Sequence, residues 1–333
     1  MKTEAPKNKN IDKKLLEEAD LNPVLMHKLK ILSPYLMLEA NEICFNRPQE
    51  IFVDKGDSWE IIEDKRLDLE FLNDFLVQLA TRRRQRFNEK HCHLSCELPY
   101  PFPRYRVQAQ HSSSLFDSDI GICIRIPNKT RFALENFVLS EKLIKEGWNY
   151  EKIKSLIPQK KNILISGGTG TGKTSFFNSL MGEIHPDDRI VTIEDSHELY
   201  TENKNTLHIA VPKEESEIYS YQIAINNAMR LRPDRLFLGE IDIRNTFTFL
   251  RVNNTGHAGN LSTLHANNPQ DAIKAIITNI IIGGSLKDPD RNMLEELIVT
   301  AVDYIIQIQR VGKERIISDI LDLKENFKNR RNF

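Results

Sequence analysis

The stretch Ile163-Leu-Ile-Ser-Gly-Gly-Thr-Gly-Thr-Gly-Lys-Thr174 decides the fold of this chain. Its apolar opening reads as a strand, and it runs into Gly167-Gly-Thr-Gly-Thr-Gly-Lys173-Thr174, a complete G-x-x-x-x-G-K-[ST] phosphate loop. Thr174-Ser-Phe-Phe-Asn-Ser-Leu-Met181 then carries apolar residues spaced to face a sheet as the first turns of a helix. Strand, loop and helix in this order suit a bound nucleoside triphosphate. Gly168, Thr169, Gly170, Thr171 and Gly172 let successive backbone N–H groups turn inward around the phosphates, with Ser175 next along the helix. Lys173 brings a fixed positive charge to the β and γ oxygens, and the Thr174 hydroxyl is placed to hold Mg2+.

Downstream of the loop, strands (Ile190-Val-Thr-Ile, Arg235-Leu-Phe-Leu-Gly, Leu261-Ser-Thr-Leu) alternate with helical patterns at 219–231, 245–254 and 269–282. That alternation is expected to build a doubly wound sheet. The segment 303–311, a Gly312-Lys turn and 315–323 read as a terminal antiparallel pair.

Hydrolysis needs a carboxylate to orient water and a group to control the metal. Ile193-Glu194-Asp195 ends one strand and Leu238-Gly239-Glu240 another, so both acids emerge at the C-terminal edge of the sheet, where ligands of such sheets bind. Glu194 is the expected general base, and Glu240 is expected to reach Mg2+ through water. His257 and His265 flank a strand-like segment, so that one can face the γ-phosphate and the other Glu240 or a neighbouring subunit. Spacing alone leaves a buried structural histidine as good a reading.

Upstream, the pattern changes. Residues 1–13 are rich in lysine and asparagine and are expected to carry little structure. From Lys14 to Leu38 leucines recur at helical spacing, interrupted at Asn22-Pro23 and Ser33-Pro34, which predicts two or three short helices. Three strands are predicted from Glu42, Glu50 and Ser58, a helix over 67–86 ending in Arg82-Arg-Arg-Gln-Arg86, further strands from Arg104 and Gly121, and a helix over 143–157. Cations at a helix C-terminus complement its dipole, and that reading of the basic run is preferred over a contact to membrane phosphates. The fold class is α/β, with a smaller α+β N-terminal domain at 1–135 and a RecA-like nucleotide-binding domain at 136–333.

The chain has 333 residues, 46 basic and 47 acidic, so no global field draws it to nucleic acid or anionic lipid. Direct sequence-specific nucleic-acid binding is not expected, for there is also no strip of interleaved basic and aromatic residues. No stretch approaches the ~20 apolar residues of a membrane-spanning helix, and the N-terminus lacks an apolar signal core, which points to the cytoplasm. Four cysteines are too few for a disulfide framework. His91, Cys92, His93 and Cys96 lie close together but lack the second ligand pair of a structural zinc site, so ordinary thiols and imidazoles are the preferred reading.

The phosphate loop, Thr192-Ile-Glu-Asp-Ser-His-Glu-Leu199, Arg230-Leu-Arg-Pro-Asp-Arg235, Leu-Gly-Glu240 and Thr-Gly-His257 through Thr-Leu-His265-Ala-Asn267, in that order, resemble the secretion traffic ATPases. The type IV secretion and conjugation members are the most similar. The resemblance implies an Asp box at Glu194, an atypical Walker B at Glu240 and a His box at His257 and His265. Glu42-Ile-Cys-Phe-Asn-Arg-Pro, Arg106-Val-Gln and Ile124-Arg125-Ile-Pro look like the N-terminal domain of that family, which implies Arg106 and Arg125 as phosphate clamps. It further implies ATP with Mg2+, a homohexameric ring and a place on the cytoplasmic face of the inner membrane. There the ring would meet inner-membrane and cytoplasmic components of a secretion apparatus. Pilus and type II secretion motors share the motifs and remain alternatives, as does a ring that binds nucleotide without turnover. One departure is Glu240-Ile-Asp242-Ile-Arg244, where the family usually has an apolar residue and then arginine.

Overall fold

The computed structural model describes residues 2–4, 21–56, 58–83, 85–127, 132–212, 219–284, 286 and 289–331, the backbone alone for 2–4, 330 and 331. It forms two compact units, 1–129 and 130–333.

Among the described residues, the first unit is one seven-stranded sheet with two α-helices. Its strands are β1 (Lys2–Glu4), β2 (Glu42–Arg47), β3 (Glu50–Asp54), β4 (Trp59–Glu63), β5 (His93–Glu97), β6 (Arg106–His111) and β7 (Ile120–Arg125), in the order β1-β4-β3-β2-β7-β6-β5. All neighbours are antiparallel except β1, which runs parallel to β4, so the segment 2–4 carries the structure its composition did not suggest. Alternate residues of β2, β3, β6 and β7 are buried, as expected of a sheet with one face on a core. That core takes Leu25, Leu29 and Leu32 from α1 (Pro23–Leu36) and Phe71, Leu72, Phe75 and Leu76 from α2 (Leu69–Arg82).

Three expectations change here for local reasons. Ser33-Pro34 does not break α1. Proline removes the N–H that would bond Lys30, and the Ser33 hydroxyl donates to the Lys30 carbonyl instead, at 2.9 Å. Helix α2 begins at Leu69 because the Asp68 carboxylate caps the Phe71 N–H, and it closes when the Gln85 N–H turns back to the Ala80 carbonyl. The basic run is therefore split. Arg82 ends the helix and Arg83 pairs with Glu97, while Arg84 lies outside the described residues. The part of the predicted N-terminal helices before residue 21 also falls outside them.

The second unit is an eight-stranded sheet ordered β11-β10-β12-β13-β9-β14-β15-β8. The strands are β8 (Val138–Leu139), β9 (Ile163–Ser166), β10 (Ile190–Glu194), β11 (Thr206–Ala210), β12 (Arg235–Leu238), β13 (Leu261–Leu264), β14 (Tyr304–Val311) and β15 (Glu314–Asp322). Strands β9, β10, β12 and β13 are parallel and buried at every residue, which is why they read as unbroken apolar runs. Strands β14 and β15 form the predicted antiparallel pair, and β14 joins β9 in parallel.

Helices cover both faces. One face packs α5 (Lys173–Leu180) with α3 (Glu141–Lys145) and α4 (Tyr150–Ser155). The other packs α6 (Tyr221–Arg230), α7 (Thr246–Asn253), α8 (Pro269–Ile282) and α9 (Arg291–Ala301), with Leu323 of α10 (Leu323–Arg331). The single helix predicted over 143–157 is two, because Gly147 takes φ +77° and Asn149 starts a new helix by accepting the Lys152 N–H. Phe132, Leu134 and Phe137 pack in this unit. Among the described residues, no helix is long and apolar enough to cross a membrane.

Candidate nucleotide site

The phosphate loop links β9 to α5 at the C-terminal edge of the parallel strands. Two of its glycines leave no room for a side chain. A Cβ on Gly167 would lie 2.5 Å from the Ile308 carbonyl oxygen, and Gly172, at φ +99°, would press one against Arg315 Cδ at 2.7 Å. Gly168, Thr171, Thr174 and Ser175 are half-buried, while Thr169 and Gly170 are exposed at the tip. Lys173 opens α5, and its Nζ donates to the carbonyls of Gly167 and Gly168 at 3.0 and 2.9 Å. Burial draws its ammonium below the usual lysine range, against the opposing pull of Glu240 and Glu198.

Three predicted residues meet at this edge. His265, just past β13, places Nδ1 3.3 Å from Lys173 Nζ and Nε2 3.5 Å from Glu240 Oε2. The bond to His265 holds Glu240 below the usual carboxylate range, burial opposes it, and the charges of His265, Lys173 and Arg244 add to it. The arrangement is an alternating chain of cation, imidazole and anion beside the loop.

Glu194, at the end of β10, is 4% exposed. Its Oε1 accepts the N–H groups of Glu198 and Leu199 at 2.9 and 2.8 Å, and its Oε2 accepts the Thr192 hydroxyl at 3.3 Å. Burial pushes its carboxyl up to about 8, although these hydrogen bonds pull the other way. A carboxyl near neutrality suits a general base. Gly239 makes room for it, since a Cβ there would lie 3.3 Å from Glu194 Cγ. That use of Gly239 was not read from the sequence.

His257 does not join this cluster within the unit. Its carbonyl accepts the Asn260 side-chain N–H, while the Asn260 backbone bonds to Asn162 and Ile163 at the start of β9. It therefore sits at the opposite edge of the sheet from His265, with β13 between them, roughly 13 Å of extended chain. In the first unit, Arg106 and Arg125 are cross-strand partners, flanked in register by Glu97 and Glu42. Asp242 shapes the turn before α7 by accepting the Arg244 N–H, and its carboxylate also takes the Arg244 guanidinium, which lies over the Tyr221 ring. Arg315 is the cation sequence reasoning missed. It touches Gly172, its guanidinium covers the Phe132 ring at 4.9 Å, and its buried Nε has no hydrogen-bond partner. Nothing in its hairpin context marks it as a loop neighbour.

Residues 119–310 match the family described as type II/IV secretion system protein. The chain belongs to that family. Type IV secretion system protein VirB11 of Bartonella henselae is 28% identical over 328 residues, covering 88% of this chain and 91% of that protein. The conjugal transfer protein TrbB of Rhizobium radiobacter is 34% identical over 180 residues, 53% of this chain and 52% of the relative. The structure of the Legionella pneumophila ATPase DotB superposes with a TM-score of 0.62 at 19% identity, covering 98% of this chain and 86% of that one, a likeness of fold. The motif resemblance to the secretion traffic ATPases and the two-part α/β architecture are both borne out.

Proposed function

We propose that this member of the secretion family is a Mg2+-dependent ATPase that acts as a homohexameric ring at the cytoplasmic face of the inner membrane, driving a type IV secretion or conjugation machine. The observation that carries the reading is the meeting of Lys173, His265 and Glu240 at the strand edge that holds the phosphate loop, with the buried Glu194 beside Gly239.

The loop amides and Lys173 stabilise negative charge on the β and γ oxygens as the terminal bond breaks. Lys173 trades its two loop carbonyls for phosphate oxygens, a stronger charge-assisted contact. The half-buried Thr174 hydroxyl and the ionised Glu240 are an all-oxygen donor set that fits Mg2+. Bound there, Mg2+ would neutralise charge on the β and γ phosphates. Glu194 orients the attacking water and takes its proton at Oε2, since Oε1 already accepts two backbone N–H groups. His265, between Lys173 and Glu240, links the state of the phosphates to the metal-side acid. Arg106 and Arg125 are assigned to nucleotide phosphates from the N-terminal unit, where a guanidinium fork gives paired contacts.

Steady-state ATP hydrolysis by the purified chain beside Lys173→Ala and Glu194→Gln, with oligomer mass measured with and without Mg2+ and ATP, tests the reading. A hexamer whose turnover is abolished in Lys173→Ala supports it. Tight binding with wild-type turnover no higher than that of the two variants would sink it.

A further inference from the structure

A second cluster of ligating side chains lies on the far side of Glu194. His208, on edge strand β11, is the register partner of Thr192 on β10, and Glu194 is two residues further along the same strand and face. The Thr192 hydroxyl bridges the two, 2.8 Å from His208 Nδ1 and 3.3 Å from Glu194 Oε2. His197 comes from the turn after β10, whose N–H groups at Glu198 and Leu199 hold Glu194, and its ring lies 4.3 Å from that of His208. One ligand atom from each of Glu194, His197 and His208 falls within 4.8 Å of the others.

We propose that Glu194, His197 and His208 form a binding site for a zinc-class divalent ion, and that its occupancy shuts off hydrolysis by taking the carboxylate needed as general base. The inhibitory part rests on the role assigned to Glu194 above, whereas the binding part does not. Two imidazoles and one carboxylate are a tetrahedral zinc donor set with a fourth position for water. The same set is poor for Mg2+, which demands oxygen ligands in octahedral array, so the ion that serves the nucleotide does not compete.

Three features favour a built site. Thr192 restrains two of the ligands at once, as outer-shell partners do in metal centres. The donors come from β10, its turn and β11, elements tied together by a continuous parallel ladder, so little backbone must be ordered on binding. The Glu194 carboxyl is buried among two backbone amides and a hydroxyl, so a divalent ion bound there would supply its opposite charge. Glu194 thus has two uses that exclude each other.

The test is titration of the full chain, free of nucleotide, with Co2+ as a spectroscopic probe and Zn2+ as competitor. A second group of possible ligands, Glu42, Cys44 and Cys123, lies in the first unit, and its thiolates would announce themselves by a sulfur-to-cobalt charge-transfer band. The proposal expects one zinc-displaceable Co2+ equivalent without that band, lost in both His197→Gln and His208→Gln. It also expects Zn2+ to inhibit wild-type hydrolysis in excess Mg2+, and His208→Gln to hydrolyse normally without zinc while needing more than about 100-fold more zinc for the same inhibition, since loss of a ligand costs more than the roughly 10- to 100-fold of an outer-shell partner. Equal Co2+ stoichiometry in wild type and both variants would overturn the site. Binding lost in the variants, but with wild-type hydrolysis indifferent to zinc, would overturn the inhibition and leave the ion site standing. Glu194→Gln assayed in chelator separates these outcomes from a failure of the base assignment itself.

Discussion

Two buried carboxylates, one in each unit, show how surroundings decide what an acid does. Asp64 of the first unit accepts the Tyr35 hydroxyl at 2.6 Å and the Arg66 guanidinium at 2.6 and 3.0 Å. Burial would raise it, but the bonds from Arg66 and Tyr35 win, and it is held below the usual aspartate range. Glu194 of the second unit lies deeper and accepts backbone amides and a hydroxyl in place of a guanidinium, so burial pushes it up to about 8. A guanidinium partner makes an acid part of the architecture. Its absence leaves the acid able to take up a proton near neutral pH.

The sharpest way to break this contrast is to neutralise each acid. Glu194→Gln should lower ATP hydrolysis on the order of 100- to 10,000-fold, the usual worth of a positioned base, while Asp64→Asn should leave it near wild type. Steady-state assays decide between them, and an Asp64→Asn enzyme as dead as Glu194→Gln would erase the distinction.

Stability should reverse the order. Asp64→Asn removes the charged partner of Arg66 and weakens the bond to the buried Tyr35 hydroxyl, which should destabilise the first unit by about 1–3 kcal/mol. The two tryptophans, Trp59 and Trp148, fall one in each unit, so Trp→Phe variants at either give unit-specific fluorescence in urea unfolding. A loss that appears equally in the Trp148 transition would contradict the assignment.

The two acids should also tilt stability against pH in opposite directions. Glu194 binds its proton more tightly folded than unfolded, so its contribution is complete below its ordinary 4.5 and is lost as pH rises through about 8. The slope in the second unit is at most about 1.4 kcal/mol per pH unit, and Glu194→Gln in chelator should flatten it between pH 5 and 8. Asp64 is depressed, so its contribution is present above its ordinary 3.8 and is lost as pH falls further. A first unit that weakens between pH 5 and 8 would show that Asp64 is not the group responsible.

The smallest effect sharpens the architectural side. Ser33→Ala should cost about 1 kcal/mol in the Trp59 transition by leaving the Lys30 carbonyl without the hydroxyl that replaces a missing N–H. No change in hydrolysis should accompany it.

Much of the second unit was legible because its signals are local. Buried parallel strands read as apolar runs, and the glycine spacing of the loop follows from backbone clearance at Gly167 and Gly172. Strands β8 and β11 and helices α9 and α10 there escaped notice. Strand β8 is two residues long, the exposed edge strand β11 has a mixed pattern, and α10 runs straight on from β15, whereas Gly283-Gly284 and the Asp290 cap could have announced α9. In the first unit, prolines misled, because the rule that they end helices ignores a hydroxyl able to satisfy the orphaned carbonyl. Asp242 looked like damage to the motif, yet the turn before α7 uses its carboxylate.

By itself the sequence determined that this chain carries a phosphate loop between an apolar strand and a helix, that Glu194 and Glu240 each come at the end of an apolar strand, and that the family is that of secretion proteins. Those properties depend on residue order along a few turns of chain. Only the tertiary structure decided that His265 and not His257 meets Glu240 and Lys173, that Arg315 lies against Gly172, and that His197 and His208 gather around Glu194. Each of these depends on which strand lies beside which and on what surrounds a charge, and neither is written at any single position.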